Sequence, residues 1–169
     1  MFYESFLQMK KQLGQLEKWL TTAEAHAEAK KFDAKNFIGM RLIVDQFPFV
    51  RQVQNACDTA KLGASRLTGK EAPTHPDTEE TLEQLRERVR SVMGYLDGFS
   101  AKDFESSATR SVTTPRWEGK TMTGADYFRE HVTPNFFFHL TTAYAILRAN
   151  GVSIGKRDFL GTLTQHPPK

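Results

Sequence analysis

The run from Pro134 to Gly161, PNFFFHLTTAYAILRANGVSIGKRDFLG, decides the reading of this chain. From Pro134 to Ala149 it is apolar almost all the way round a helix, and it carries one imidazole, His139, directly after Phe136, Phe137 and Phe138. A helix that is apolar on every side is a buried helix. A buried imidazole needs a hydrogen-bond partner, a charge or a metal. Gly151 closes the helix as a C′ residue, and the chain beyond it is expected to stay packed only as far as Leu160.

Three more helices are expected to surround this one. Phe6, Met9, Leu13, Leu16, Leu20, Ala23 and Ala27 recur at alternating steps of three and four, which predicts a first helix over residues 2–28. A second helix is expected from Asn36 to Leu67. Leu42, Phe49, Val53, Ala56, Ala60 and Leu67 lie on one face, widened by Ile43, Phe47, Val50, Cys57 and Ala64. Pro48 lies inside this span and predicts a kink, because it removes a donor and crowds the carbonyl of Val44. After a loop from Gly69 to Pro76, Asp77 and Glu80 have the spacing of a capping box. The third helix follows with Leu82, Leu85, Val89, Val92, Leu96 and Phe99 inward. Glu83, Arg86, Glu87 and Arg90 are expected on its solvated side.

Residues 100–122 lose the helical spacing. Ser111–Thr113 and Trp117–Met122 predict a short β-hairpin across Thr114-Pro115-Arg116. Thr123 and Asp126 predict a cap, and Thr133 with Pro134 predicts a restart of the last helix. The expected fold is therefore a single domain over 1–169, all-α, an up-and-down four-helix bundle with a short hairpin before the last helix.

Composition narrows the function classes. The 169 residues are 39% hydrophobic and 25% charged, with a net charge of +3, as for an ordinary globular domain. Lys10-Lys11, Lys30-Lys31 and Lys156-Arg157 are isolated doublets among acids, which argues against a nucleic-acid track. No apolar run is long enough to span a membrane, and the N-terminal residues lack the pattern of a secretory signal. A single cysteine, Cys57, fits a reducing compartment, so the expected location is cytoplasmic. Wide apolar faces on the first two helices suggest a homodimer.

Among five histidines, His75 and His166 are expected to be solvated. His26 suits a helix C-terminus, and His131 either caps or approaches a site around His139. Asp45 and Gln52, seven apart on the expected second helix, are the candidate partners of His139, with Tyr144 as a nearby phenol. Such a set can hold a divalent metal through oxygen ligands, or it can form a satisfied polar network that fixes helix register. Cys57 reads as a core cysteine without an activating cation. Residues 151–158, GVSIGKRD, lack the spacing and the hydroxyl of a phosphate loop.

Three long stretches carry a family resemblance: VDQFPFVRQVQNACDTAK (44–61), LTGKEAPTHPDTEETLEQLRERV (67–89) and the run from Pro134 to Gly161. Together they resemble an uncharacterised domain-of-unknown-function branch of the DinB/YfiT-like superfamily of metal-binding four-helix bundles. That superfamily includes thiol-dependent transferases and isomerases. The resemblance implies three histidine ligands, one from the second helix and an H-x-x-x-H pair on a later one. This chain departs from the pattern. His139 matches one ligand, but Thr142 and Ala143 stand where a partner would follow, and residues 36–67 contain no histidine. The resulting expectation is a small-molecule-binding or structural bundle without the three-histidine site and with no metal. The alternative is a metal-dependent (zinc or nickel) or general-base enzyme with an atypical centre at His139.

Overall fold

The computed structural model describes residues 1–168. Four long helices form the bundle: α1 (Phe2–Lys30), α3 (Phe49–Thr68), α4 (Leu82–Asp97) and α6 (Thr133–Ala149). The shorter α2 (Asn36–Gly39), α5 (Gly124–Asp126) and α7 (Lys156–Leu160) lie between or after them. Strands β1 (Ser111–Val112) and β2 (Met122–Thr123) pair antiparallel, with Ser111 opposite Thr123. The expected hairpin is thus present, and Thr123 Oγ1 caps the turn that follows by accepting from the Asp126 amide at 3.2 Å.

Helix α3 is the centre of the packing, with its widest contacts on α6 and α4, while α1 packs mainly along α4. The expected α1 stripe, Phe6 to Ala27, is buried along its whole length. Trp19 sits under the C-terminal segment, stacked on Phe159 at 5.5 Å, and donates to the Asp158 carbonyl at 3.2 Å. Those contacts explain why order on this face runs through α7. Gly151 takes φ +86 just beyond the end of α6, as its place in the sequence predicts.

The second helix differs from expectation. It is not one kinked helix over 36–67 but a single turn, α2, a loop, and then α3. Pro48 is the extended N-cap residue of α3, with ψ 167, rather than an interior residue. A proline is tolerated at a helix start, where no donor is needed, and it drives its predecessor out of the helical region. The Phe49 amide instead donates to the Met40 carbonyl at 2.8 Å, which folds the loop back on α2. As a result Leu42, Ile43 and Phe47 leave the core, and Val44 is 92% exposed.

Helix α4 starts later than the Asp77–Glu80 spacing predicts. Its cap is Thr81, in a reciprocal box with Gln84. Asp77 and Glu79 are held elsewhere. Arg88 is almost fully buried and pairs with Asp58 (2.9 Å), Asp77 (3.0 Å) and Glu79 (2.9 Å). Those bonds pin the loop before α4 across α3 and α4. Arg86 is also drawn inward, to Glu24 and Glu83, so the outer face of α4 is only partly a solvated surface. His75, expected to be solvated, lies between Lys61 Nζ (3.0 Å) and Ser91 Oγ (2.8 Å). An ammonium can only donate, so His75 Nδ1 accepts and Nε2–H donates to Ser91. Burial, then the Lys61 and Arg88 charges, push the His75 imidazole below its ordinary value.

The last helix does not restart at Thr133. Helix α5 runs through a π turn, Tyr127–Val132, directly into α6. Pro134 supplies no N–H for the carbonyl four residues back, and its ring needs room there. The chain absorbs both demands by widening the preceding turn instead of breaking. Thr133 is accordingly a helical residue, with φ −63 and ψ −54.

Candidate functional site

A cleft of about 520 Å³ opens between α3 and the helix that runs from Tyr127 to Ala149, roofed by Thr114–Trp117. Helix α3 lines it with Arg51, Asn55, Asp58, Thr59, Leu62 and Arg66, which share one face of the helix. The facing helix lines it with His131, Asn135 and His139, each four residues from the last. Phe47 closes one end, and Trp117 and Tyr127 stand at the other.

His139 is buried, and its Nδ1 lies 2.8 Å from Gln52 Oε1. Gln52 is itself fixed, because its Nε2 donates to the Phe47 carbonyl at 3.0 Å. A carbonyl accepts only, so the amide nitrogen of Gln52 must face Phe47 and its oxygen must face His139. The imidazole therefore carries its proton on Nδ1 and leaves Nε2 with a bare lone pair. Burial, helped by the Arg51 charge, depresses this imidazole to about 4. It is neutral at physiological pH, and its Nε2 is an acceptor, a base or a ligand, but not a donor.

The next contact along the cleft is ordered in the same way. Thr59 Oγ1 donates to the Asn55 carbonyl at 2.6 Å, as a helical threonine does. It therefore accepts from Asn135 Nδ2, 2.7 Å away, and the Asn135 Oδ1 is left as a second acceptor. At the far end, Arg66 donates to the Tyr127 hydroxyl at 3.0 Å. Tyr127 stacks on His131 with ring centres 5.4 Å apart, and Trp117 meets His131 edge-on at 6.0 Å. Burial and the Arg66 charge lower the His131 value, and its Nδ1 is buried without a hydrogen-bond partner. Asp58 turns toward Lys61 (2.9 Å) and Arg88 (2.9 Å), so the acidic residue of the cleft is neutralised from behind.

Of the residues expected around His139, only Gln52 is brought to it. Asp45 is exposed on the loop before Pro48 and no longer shares a helix face with Gln52. Tyr144 lies on another face of α6, edge-on to Trp19 (5.5 Å) and Phe159 (5.6 Å), with its hydroxyl 3.5 Å from the Ile154 carbonyl. Cys57 is fully buried. Arg88 and Lys61 are near it, but burial wins and pushes the thiol up to about 12, so it is no nucleophile. His26 packs against Phe32 and Phe37. His131 does reach the cleft. Asn135, Thr59, Arg66 and Trp117 escaped the sequence reading, although His131, Asn135 and His139 are evenly spaced.

The donor set does not fit the metal that the resemblance implies. Beside His139, the cleft offers carboxamides and a hydroxyl whose hydrogen bonds are already directed to one another. Among the described residues, no three His, Cys, Asp or Glu side chains are grouped so that they could hold one ion. A neutral amide at Asn135, four residues before His139, occupies the place on the same face where an i, i+4 partner would sit.

The depressed His139 value has a consequence for stability. Because the folded-state value lies below the ordinary 6.5, the unfolded chain takes up the proton first. His139 contributes fully above about pH 6.5 and loses that contribution as the pH falls toward 4. His75 and His131 are shifted in the same sense. Urea unfolding between pH 7 and 4.5 is expected to show stability falling, with His139 accounting for about 3 kcal/mol at most. In His139→Asn the fall should be visibly shallower. An unchanged slope would mean that the imidazole is not held neutral.

No curated protein matches the chain. A domain of unknown function (DUF1993) matches residues 1–160. A crystal structure of a DinB family member protein from Shewanella denitrificans is 49% identical. It superposes with a TM-score of 0.96 over 99% of this chain and 96% of that one. A profile that spans nearly the whole length, together with that likeness in sequence and fold, places this chain in the DUF1993 family, a DinB-like domain of unknown function.

Proposed function

We propose that the protein binds a small organic molecule in the α3–α6 cleft, without a metal ion, and that His139 is its central contact. The observation that carries this reading is the Phe47–Gln52–His139 chain, which holds the imidazole neutral and turns the Nε2 lone pair toward the cleft. Only Nδ1 of the ring is taken up by the protein, and the residue lines the cleft. The volume, about 520 Å³, is that of sites that take small ligands.

The same lone pair supports a second reading, in which Nε2 acts as a general base toward an acidic O–H or N–H of the bound molecule. Proton transfer is the chemistry this reading takes, because the Nε2 lone pair of a neutral imidazole accepts a proton directly. No helix among the described residues is long and apolar enough to cross a membrane. The reading is of a cytoplasmic protein paired with a second copy, for which exposed Leu42, Ile43, Val44 and Phe47 offer an apolar surface.

A library of small polar metabolites, screened by amide chemical-shift changes in the full chain, tests the binding reading. Hits are expected to move the amides of Thr59, Arg66, Trp117, Asn135 and His139 together. Hits that cluster elsewhere, or none across the library, would overturn it.

A further inference from the structure

We infer that the cleft takes an organic carboxylate of elongated shape, with its acid group at the Arg66–Arg116 end and an O–H or N–H donor at the His139 end. The inference rests on the binding reading above and adds the class of ligand. It comes from an asymmetry in the cleft wall.

At one end the wall presents cations. Arg66 and Arg116 both line the cleft, and among the described residues neither has a carboxylate within ion-pair distance. Arg51, on the same helix as Arg66, and Arg88, on α4, are by contrast matched to Asp77, Asp58 and Glu79. Arg66 directs one N–H to Tyr127, at 3.0 Å, and keeps the rest of its fork. A half-buried guanidinium with free, coplanar donors is matched in shape and charge by a carboxylate. The same charge disfavours a cationic ligand group at this end.

At the other end the wall presents two acceptors, and the cation there, Arg51, is already paired with Asp77 and bonded to Gln54. His139 Nε2 is bare because Nδ1 is committed to Gln52, and Asn135 Oδ1 is free because Nδ2 is committed to Thr59. Two acceptors are poor company for a carboxylate and a good pair for a hydroxyl or an amine. The ligand can therefore enter in one direction only.

The distance between the ends sets the length. Thr59, which holds the nearer acceptor, Asn135, and Arg66 are seven residues apart on α3, or about 10 Å along the axis, and Gln52, which holds His139, is fourteen residues from Arg66, or about 21 Å. The nearer span matches a ring plus a short chain. Beside the arginines, Trp117, Tyr127 and His131 pack against one another and offer flat apolar surface.

Calorimetric titration of the full chain with three probes tests the inference. Para-hydroxyphenylpropionate carries both groups, phenylpropionate lacks the donor, and para-ethylphenol lacks the acid. The first is expected to bind at least about tenfold more tightly than either of the others, since each deletion leaves a site group unmatched. Arg116→Gln, on an exposed loop, and Arg66→Gln should each weaken the first probe about tenfold and leave para-ethylphenol unchanged. The thermal midpoint of each variant confirms that it is folded. Equal binding of the three probes, or binding that neither arginine variant weakens, overturns the inference while the cleft remains a binding site. If none of the three binds, the inference falls as well. The binding reading falls with it only if the metabolite library also gives no hit in the cleft.

Discussion

Arg88→Met is expected to lower the unfolding free energy by about 3–5 kcal/mol, measured by urea denaturation at pH 7. The guanidinium is almost wholly buried between Asp58, Asp77 and Glu79. Burial by itself would lower its value. The hydrogen bond to Glu79 and the charges of Asp58 and Glu79 outweigh that, and the group is held firmly in its charged form. Methionine fills much of the same space but leaves the carboxylates without their shared cation. Asp58 keeps Lys61 and Asp77 keeps Arg51, but Glu79 keeps only the Gln54 amide, at 2.7 Å. Glu79 is therefore the group left most exposed to the loss, and Glu79→Gln added to Arg88→Met should recover part of the deficit. The Asp77–Glu79 end of the loop before α4 is tied to the bundle by these bonds. Its amides should lose hydrogen-exchange protection in the variant before those of α3 do. A cost below about 1 kcal/mol would mean that the network is dispensable surface charge.

Gln52→Leu carries the second large effect. Gln52 is fully buried and serves two groups at once, accepting from His139 Nδ1–H and donating to the Phe47 carbonyl. Leucine of similar size satisfies neither. Two buried polar groups lose their partner, which costs about 2–4 kcal/mol together. The chemical consequence is more specific than the cost. With no acceptor at Nδ1, the imidazole is free to move its proton to Nε2, which changes the cleft wall from acceptor to donor. Ligand affinity should fall even in the folded fraction. Gln52→Glu should retain the acceptor at His139 and raise the imidazole value, because it places a carboxylate beside the ring. A Gln52→Leu variant with wild-type stability and wild-type binding would remove the orienting role assigned to this residue.

Much of the architecture is legible in sequence, and the reasons are local. The α1 stripe, the hairpin strands, the Thr123 cap and the Gly151 stop each depend on residues within one or two turns of each other. The errors come from choices that local pattern leaves open. Apolar residues recur on both sides of Pro48, from Leu42 through Val53, so a helix kinked at Pro48 and a helix beginning there read alike. Only the backbone economy of starting at proline separates them. Residues 77–84 hold two consecutive capping boxes, Asp77 with Glu80 and Thr81 with Gln84. The choice is made by Arg88, which claims Asp77 and Glu79.

The site divides in the same way. His139 stands out because it is a lone imidazole in an apolar helix, and Gln52 is found because it faces inward on a buried helix. Asp45 fails with the helix that was expected to carry it. Tyr144 fails on phase, since five residues place it about 140° round the helix from His139. Asn135 is hidden by Pro134, which reads in sequence as a boundary and leaves His131 open between a cap and an approach to the site. Only the π turn carries the face of His139 back through them. Arg66 and Trp117 come from separate elements, and nothing in either segment announces the other.

The most direct test is the two-bond proton–nitrogen spectrum of the His139 ring at pH 7, in the full chain, before and after a chelator. The account predicts a protonated Nδ1 and an unprotonated Nε2, unchanged by the chelator and lost as a fixed tautomer in Gln52→Leu. A proton on Nε2, or a ring signal that shifts when metal is removed, would contradict it.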